Sequence, residues 1–310
     1  MRVIEYLPGQ TLSGGCVVAL GFFDGMHAAH RALIGEARRT ADEMGLPLAV
    51  FTFPAESKIK GNTARIYDTG TKIELLGSLS VDVVLLSDFA AVAGLTPEEF
   101  VRDVLIRDVD ARVAVCGFNY RFGRGASGDA KMLEKLMNGG GRVAKIHDEL
   151  TNDGRTVSAT DIRTALASGD VERAKELLSV PYFLRGRVGH GMANGRRIGF
   201  PTINVSIGEG LVNLRSGVYK TAVPIGEKLY TGLTNVGICP TFGAREAHAE
   251  TYILDFSGDL YDRDLTVYFL EFIRDEIEFS SAEALAEQIK KDVDTVMKGR
   301  MVTWQEIGLN

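Results

Sequence analysis

Val17-Val18-Ala19-Leu20-Gly21-Phe22-Phe23-Asp24-Gly25-Met26-His27-Ala28-Ala29-His30 is the stretch from which the first half of the chain is read. The apolar run Val17 to Leu20 reads as a buried strand. The residues after His30, Arg31 to Arg39, read as a helix. Two histidines, His27 and His30, therefore fall at a strand-to-helix junction, and residues three apart in a helix share a face. Helix N-termini attract anions, phosphates above all. Two imidazoles there can stabilise the charge that develops in phosphoryl or nucleotidyl transfer. The alternative is a solvent-facing histidine pair in a helix cap.

Outward from this junction, strand-like and helix-like segments alternate to about residue 180. The strands are expected at 17–20, 48–53, 81–86, 111–116 and 143–147, and the helices at 29–44, 71–79, 96–104, 130–137 and 160–167. Thr96, Pro97, Glu98 and Glu99 make a helix start, with an N-cap, a proline at the first position and acids in the first turn. Such alternation implies a parallel sheet with helices on both faces. Ligands then sit beyond the carboxyl ends of the strands, the edge where His27 and His30 fall.

After Pro181 glycines become frequent and short alternating β-branched runs appear, at 183–188, 217–223, 229–236, 250–256 and 264–272. Turn residues separate them, the pattern of an antiparallel sheet closed into a small barrel. A helix at 282–297 follows, with Leu285, Ile289, Val293 and Val296 on one stripe. The boundary is placed near Ser179 to Pro181, giving domains 1–180 and 181–310.

The length of 310 residues itself suggests about two domains. A net charge of −6 argues against a general nucleic-acid binder. The three cysteines, Cys16, Cys116 and Cys239, are scattered and odd in number, which fits a reducing compartment without disulfides or a zinc site. The N-terminus has no signal-peptide core, and no run reaches membrane-spanning length. A soluble, cytoplasmic protein is expected, with no nucleic acid or membrane partner.

Three further segments of the first half carry candidate chemistry. Cys116 to Gly123 sets alternating aromatics in a loop after a strand, suited either to a planar ligand or to plain packing. Gly123, Gly125 and Gly128 formally match G-x-G-x-x-G with Asp148 downstream, but they lie several residues too far beyond the strand for a dinucleotide fold. Thr156 to Arg163 places hydroxyls and an arginine at a helix start, either a triphosphate clamp or an ordinary N-cap.

Together these pieces resemble the nucleotidyltransferase module of bacterial bifunctional riboflavin kinase/FAD synthetases. The matches are Gly21-x-Phe23-Asp24-Gly25-x-His27-x-x-His30, Gly117-x-Asn119-x-x-Phe122-Gly123 and Ser158-x-Thr160-x-Ile162-Arg163. The resemblance implies a Rossmann-like nucleotidyltransferase fold and transfer of AMP from ATP to FMN. By it, His27 and His30 contact the ATP phosphates, Gly21, Phe23 and Asp24 shape the nucleotide site, and Ser158, Thr160 and Arg163 hold the triphosphate. Asn119 lies near the reacting phosphates and Phe122 near the flavin. The chain departs from the family at Ala29, where glycine is usual between the histidines. It departs also at Pro54-Ala55-Glu56, where a histidine-proline pair is usual, and at Ala159, where serine is usual.

In the second half, a glycine-rich connection precedes Gly199-Phe200-Pro201-Thr202-Ile203-Asn204. Thr202 and Asn204 point to one face of an extended segment, and their oxygens can complete a magnesium shell otherwise made of phosphate and water. Glu250 begins a strand of mainly apolar neighbours. A carboxylate there can take a proton from an attacking hydroxyl, or be a solvated strand-edge glutamate.

This half resembles the riboflavin kinase domain through Gly195-Arg196-x-x-Gly199-Phe200-Pro201-Thr202-x-Asn204, Asn235-x-Gly237-x-x-Pro240-Thr241-Phe242, Glu250-x-x-Ile253-Leu254-Asp255-Phe256 and Phe272-Ile273-Arg274-x-Glu276. The resemblance implies a six-stranded Greek-key barrel with a terminal helix. By it, Glu250 is the catalytic base, Gly195, Arg196 and Thr202 bind ATP, Thr202 and Asn204 bind Mg2+, and Arg274 and Glu276 adjoin the flavin. Tyr252 stands where many relatives have histidine. The function implied is phosphorylation of riboflavin by ATP to FMN, then adenylylation of FMN to FAD, with riboflavin, FMN and ATP as partners. The competing readings are a riboflavin kinase with a degenerate first domain, a dinucleotide-dependent oxidoreductase and a non-catalytic flavin sensor.

Overall fold

The structure is a computed structural model that describes residues 1–57, 63–152, 155–189, 198–241, 244–298 and 302–308. The residues sort into two compact units, Met1–Ala159 and Thr160–Asn310.

The first unit is a six-stranded parallel sheet in the order β1-β4-β3-β2-β5-β8. Its strands are β1 (Arg2–Tyr6), β2 (Cys16–Leu20), β3 (Leu48–Thr52), β4 (Val83–Ser87), β5 (Ala111–Gly117) and β8 (Val143–His147). Between them run α1 (Ala28–Met44), α2 (Thr69–Ser78), α3 (Phe89–Val92), α4 (Pro97–Glu99) and α5 (Ala130–Met137). Two-residue strands β6 (Arg121–Phe122) and β7 (Gly128–Asp129) form a small ladder before α5, and β9 (Thr151–Asn152) pairs with β10 (Arg155–Thr156).

Every residue of β2 is buried, as a strand covered on both faces requires. Side chains alternate across a strand. Accordingly Val17 and Ala19 join Leu33, Ile34 and Ala37 of α1 in one core layer. Cys16, Val18 and Leu20 join Phe51, Phe100 and Leu133 in the other. The expected cap at Thr96 forms: its Oγ1 accepts from Glu99 N–H at 3.2 Å, and Glu99 Oε2 accepts from Thr96 N–H at 2.8 Å. The helix continues from there in a wider winding over Phe100–Asp108.

β1 is an edge strand that the sequence pattern does not mark. It pairs with β4, and Tyr6 OH donates to the buried Asp108 carboxylate at 2.8 Å. Gly123 to Gly128 runs through a 3-10 turn from β6 to the start of β7, separated from the end of β5 at Gly117. That is not the strand–turn–helix junction of a dinucleotide fingerprint.

α6 (Ala159–Ser168), whose first residue ends the first unit, and α7 (Val171–Leu178) come next. The sheet follows, in the order β11-β16-β13-β14-β15-β12, with every pairing antiparallel. Its strands are β11 (Phe183–Arg187), β12 (Thr202–Ser206), β13 (Gly217–Ile225), β14 (Lys228–Thr241), β15 (Ala244–Ile253) and β16 (Asp264–Arg274). The ends of that order meet where Gly189 N–H donates to Asn204 O at 3.0 Å, which closes the sheet toward a barrel. α8 (Ala282–Lys298) follows the last strand. By packing, α6 goes with the barrel: Arg215 N–H donates to Leu166 O at 3.2 Å.

The barrel interior holds Tyr219, Phe269, Val205, Ala249 and Val267. It also holds three fully buried threonines on adjacent strands. Thr234 Oγ1 lies 2.8 Å from both Thr221 Oγ1 and Thr251 Oγ1. On the outer face, Val218, Leu233, Leu254 and Val296 form a smaller cluster against which Tyr252, Ile289 and Val293 pack. Ile289, Val293 and Val296 of the stripe read from the spacing of α8 thus join this cluster, and Leu285 lies outside it.

Candidate active sites

In the first unit the strand order reverses at β2, with β3 on one side and β5 on the other. The crevice beyond the carboxyl ends of β2 and β5 is the ligand position of such a sheet. Leu20 pairs with Cys116, so Gly21 to His30 after β2 and Gly117 to Asn119 after β5 emerge side by side.

His27 is the N-cap of α1, and its Nδ1 accepts from His30 N–H at 3.4 Å. The two rings stack at 3.6 Å between centroids, and Phe23 meets His30 edge-on at 5.2 Å. Asp24 is nearly buried and accepts from Ile66 N–H at 3.1 Å. This loop is tightly bent: Phe23 and Met26 have φ of 53° and 47°. Gly25 has φ of 76°, and a Cβ there would stand 2.6 Å from Ile66 Cδ1. Only glycine meets both constraints without rearrangement.

Asn119 is exposed beyond β5. Phe122, expected near the flavin, is 6% exposed and packs in the core against Tyr120 and Phe100. Its ring backs the loop from within. Ser158 precedes α6, and Thr160 and Arg163 occupy its first turns; Ser158 belongs to the first unit and the other two to the second.

α2 organises the loops on the other side of β2. Thr69 Oγ1 accepts from Ala55 N–H at 2.7 Å and donates to Glu56 Oε2 at 2.5 Å. Lys72, which the sequence does not single out, is 2% exposed, and its Nζ donates to Phe22 O and Phe53 O, each at 2.7 Å. Burial pushes its ammonium pKa down to about 8, against the opposing pull of Asp24 and Glu56.

In the second unit the site is a cross-strand row. Asn204 pairs with Glu250, and Glu250 pairs with Asn235 on the next strand. Side chains directly opposite in an antiparallel ladder share a face, with Cβ atoms about 5 Å apart. Asn204, Glu250 and Asn235 are each half-buried. Thr202 shares that face of β12, while Ile203 and Val205 turn into the core. Glu276 reaches the row from beyond β16, its Oε1 accepting from Asn235 Nδ2 at 3.4 Å. Gly237 leaves it room, since a Cβ there would stand 2.5 Å from Glu276 Oε1. Asn235 lies in the quoted motif without an assigned role; its in-register position opposite Glu250 is what marks it.

Arg274, expected at the flavin, is held by α8. Its Nε donates to both oxygens of the buried Asp292 at 3.0 Å and its Nη2 to Oδ2 at 2.7 Å. Its Nη1 donates to Asp275 O at 2.8 Å, and Gln288 Nε2 completes the Asp292 shell at 2.9 Å. Gly195 and Arg196 lie outside the described residues.

Among the described residues no three His, Cys, Asp or Glu side chains gather to hold a metal ion. Thr202 and Asn204 offer neutral hard oxygens beside the Glu250 carboxylate. Such a set suits a Mg2+ ion whose remaining ligands are phosphate and water, rather than an all-protein cage.

Two family models cover the chain, FAD synthetase over residues 10–161 and riboflavin kinase over residues 178–299. Both describe enzymes of flavin nucleotide synthesis, one for each architecture. The bifunctional riboflavin kinase/FMN adenylyltransferase of Bacillus subtilis (strain 168) is 35% identical over 89% of this chain and 90% of its own length. That of Pseudomonas fluorescens is 36% identical over 90% and 91%, and that of Escherichia coli (strain K12) 34% over 91% and 92%. The chain belongs to the bifunctional riboflavin kinase/FMN adenylyltransferase family. A crystal structure described as a macrolide-efflux protein from Streptococcus pneumoniae matches with a TM-score of 0.87 and 31% identity, over 97% of this chain and 100% of that one. Among the described residues no helix is long and apolar enough to cross a membrane.

Proposed function

We propose that the chain makes FMN from riboflavin and ATP on its barrel, and FAD from FMN and a second ATP at the carboxyl edge of its parallel sheet. The observation that carries the kinase site is the in-register row Asn204–Glu250–Asn235. Glu250 takes the proton of the ribityl 5′-hydroxyl as that oxygen attacks the γ-phosphorus of ATP, and ADP leaves. Asn204 and Thr202 would hold Mg2+, which would supply charge neutralisation at the ATP phosphates. Thr202, Gly195 and Arg196 bind ATP, and Glu276 borders the flavin. Arg274 adjoins the flavin as well, oriented by its bonds to Asp292.

For the second reaction an FMN phosphate oxygen attacks the α-phosphorus of ATP and pyrophosphate leaves. His27, His30 and Asn119 stabilise the reacting phosphates, Gly21, Phe23 and Asp24 shape the nucleotide site, and Ser158, Thr160 and Arg163 hold the departing triphosphate end. This is positioning and charge stabilisation, without a covalent enzyme intermediate. Phe122 supports the flavin side of this site from beneath.

The catalytic division is taken at 1–180 and 181–310. α6 is assigned to the first domain by the residues at its start, although it packs with the barrel. The buried free thiols of Cys16 and Cys116 support a reducing, cytoplasmic setting. Incubation with riboflavin and MgATP tests the reading: FMN then FAD should accumulate. FMN without FAD leaves a kinase with a nucleotide-binding first domain.

A further inference from the structure

The loop carrying the histidine pair holds two non-glycine residues at positive φ, Phe23 at 53° and Met26 at 47°. Such backbone is strained and persists only where its surroundings over-determine it. Arg31 Nε donates to Met26 O at 3.1 Å, and Ile66 N–H donates to Asp24 at 3.1 Å. The start of the loop is held by Lys72. Lys72 Nζ donates to Phe22 O at 2.7 Å, immediately before the strained pair, and to Phe53 O at 2.7 Å, just beyond β3. Thr52 Oγ1 lies 3.4 Å from the same Nζ and itself donates to Phe22 O at 3.1 Å. The ammonium also stands 4.5 Å from the centroid of the Phe22 ring. Lys72 is 2% exposed, on a helix whose N-terminal Thr69 grips Ala55 and Glu56.

An ammonium with three donors can bridge two neighbouring strand ends as no apolar side chain can. Burying a lysine is costly, and here the ammonium is held by two backbone carbonyls that a methionine of similar size would leave without this donor.

We infer that Lys72 is a positioning residue for FMN adenylylation: it ties the Gly21–His30 loop to the end of β3 and so fixes the backbone on which the nucleotide phosphates are received. Lys72 does not touch the substrates. Its effect passes through the Phe22 and Phe53 carbonyls to Phe23, Asp24 and the histidines. The inference rests on the placement of FMN adenylylation at this edge.

The test uses the full chain and its two activities. Wild type, Lys72→Met and Lys72→Arg are assayed for FAD formation from FMN and MgATP, and for FMN formation from riboflavin and MgATP. In Lys72→Met the KM for ATP in FAD synthesis should rise at least tenfold, with riboflavin phosphorylation within twofold of wild type. Lys72→Arg, which keeps charge and donors, should recover part of that loss. A packing role alone would lower the active fraction, and hence kcat, at unchanged KM. That result, or no change in either constant, overturns the proposal. Failure of both variants to give a folded first unit by circular dichroism also counts against it, because Lys72 would then be a core residue. Absence of FAD from the wild type would overturn the underlying reading instead.

Discussion

His27 and His30 lie face to face, their ring centroids 3.6 Å apart and their planes 20° from parallel. His27 also accepts the backbone N–H of His30, so the ring that caps α1 is the one that positions its partner. The pair behaves as one element of the loop, and its two members can be separated by mutation.

His30→Ala should reduce FAD formation from FMN at least a hundredfold and leave riboflavin phosphorylation within twofold. His27→Ala should do the same and in addition destabilise the first unit by about 1 kcal/mol, the usual cost of losing an N-cap acceptor. Product chromatography and urea unfolding followed by circular dichroism read the two effects.

Glu250→Gln should lower kcat of riboflavin phosphorylation by about 10² to 10⁴, the span of a general base, without altering FMN adenylylation. Asn204→Ala should raise the Mg2+ concentration that half-saturates the kinase. A Glu250→Gln kinase near wild-type rate would remove Glu250 as the base.

Removing one partner of a buried ion pair costs about 3 to 5 kcal/mol, because the other charge is stranded. In the Arg274–Asp292 pair only Asp292 is buried, with side-chain exposures of 18% and 4%, and Arg274 keeps its bond to Asp275 O, so the loss should be smaller than that. Asp292→Ala should therefore lower the unfolding midpoint of the second unit and leave the first in place. The single tryptophan, Trp304, belongs to the second unit and reports its transition by fluorescence.

Lys72 makes stability depend on pH in a defined direction. Its folded pKa of about 8 lies below the ordinary 10.5. Between these values the unfolded chain binds more protons, so stability rises with pH through that window. Below about 8 the full cost of the buried ammonium is present. The unfolding free energy of wild type relative to Lys72→Met should be flat below pH 8 and climb by roughly 3 kcal/mol toward pH 10.5. Urea titrations of both proteins across that range check it.

Elements whose partners are close in sequence, or whose pattern is strong, were legible in the residues. β2 and α1 follow from an apolar run and a periodic stripe, and α4 from its capping box. α7 carried a usable signal, since Asp170 accepts from Arg173 N–H ahead of the buried Val171, Ala174, Leu177 and Leu178. β1 carried little: Arg2 and Glu5 interrupt its apolar character, and its pairing with β4 spans most of the sheet's chain. In the sites, motif spacing nominated Glu250 and the histidines. It could not reach Lys72, because a lysine is ordinarily exposed and only the fold brings the Phe22 and Phe53 carbonyls to it. The bond that holds Arg274, to Asp292 in a helix eighteen residues on, likewise comes from the fold and not from motif spacing.

The three hydroxyls inside the barrel bear on Glu250 in another way. Thr221, Thr234 and Thr251 satisfy one another only when β13, β14 and β15 stand in their observed alignment. A slip of one residue turns every side chain to the opposite face. It would leave these hydroxyls without partners in an apolar interior and carry the adjoining Glu250 inward. The dry centre of the barrel thus proof-reads the alignment of its wet surface: a misassembled sheet is selected against before a substrate arrives.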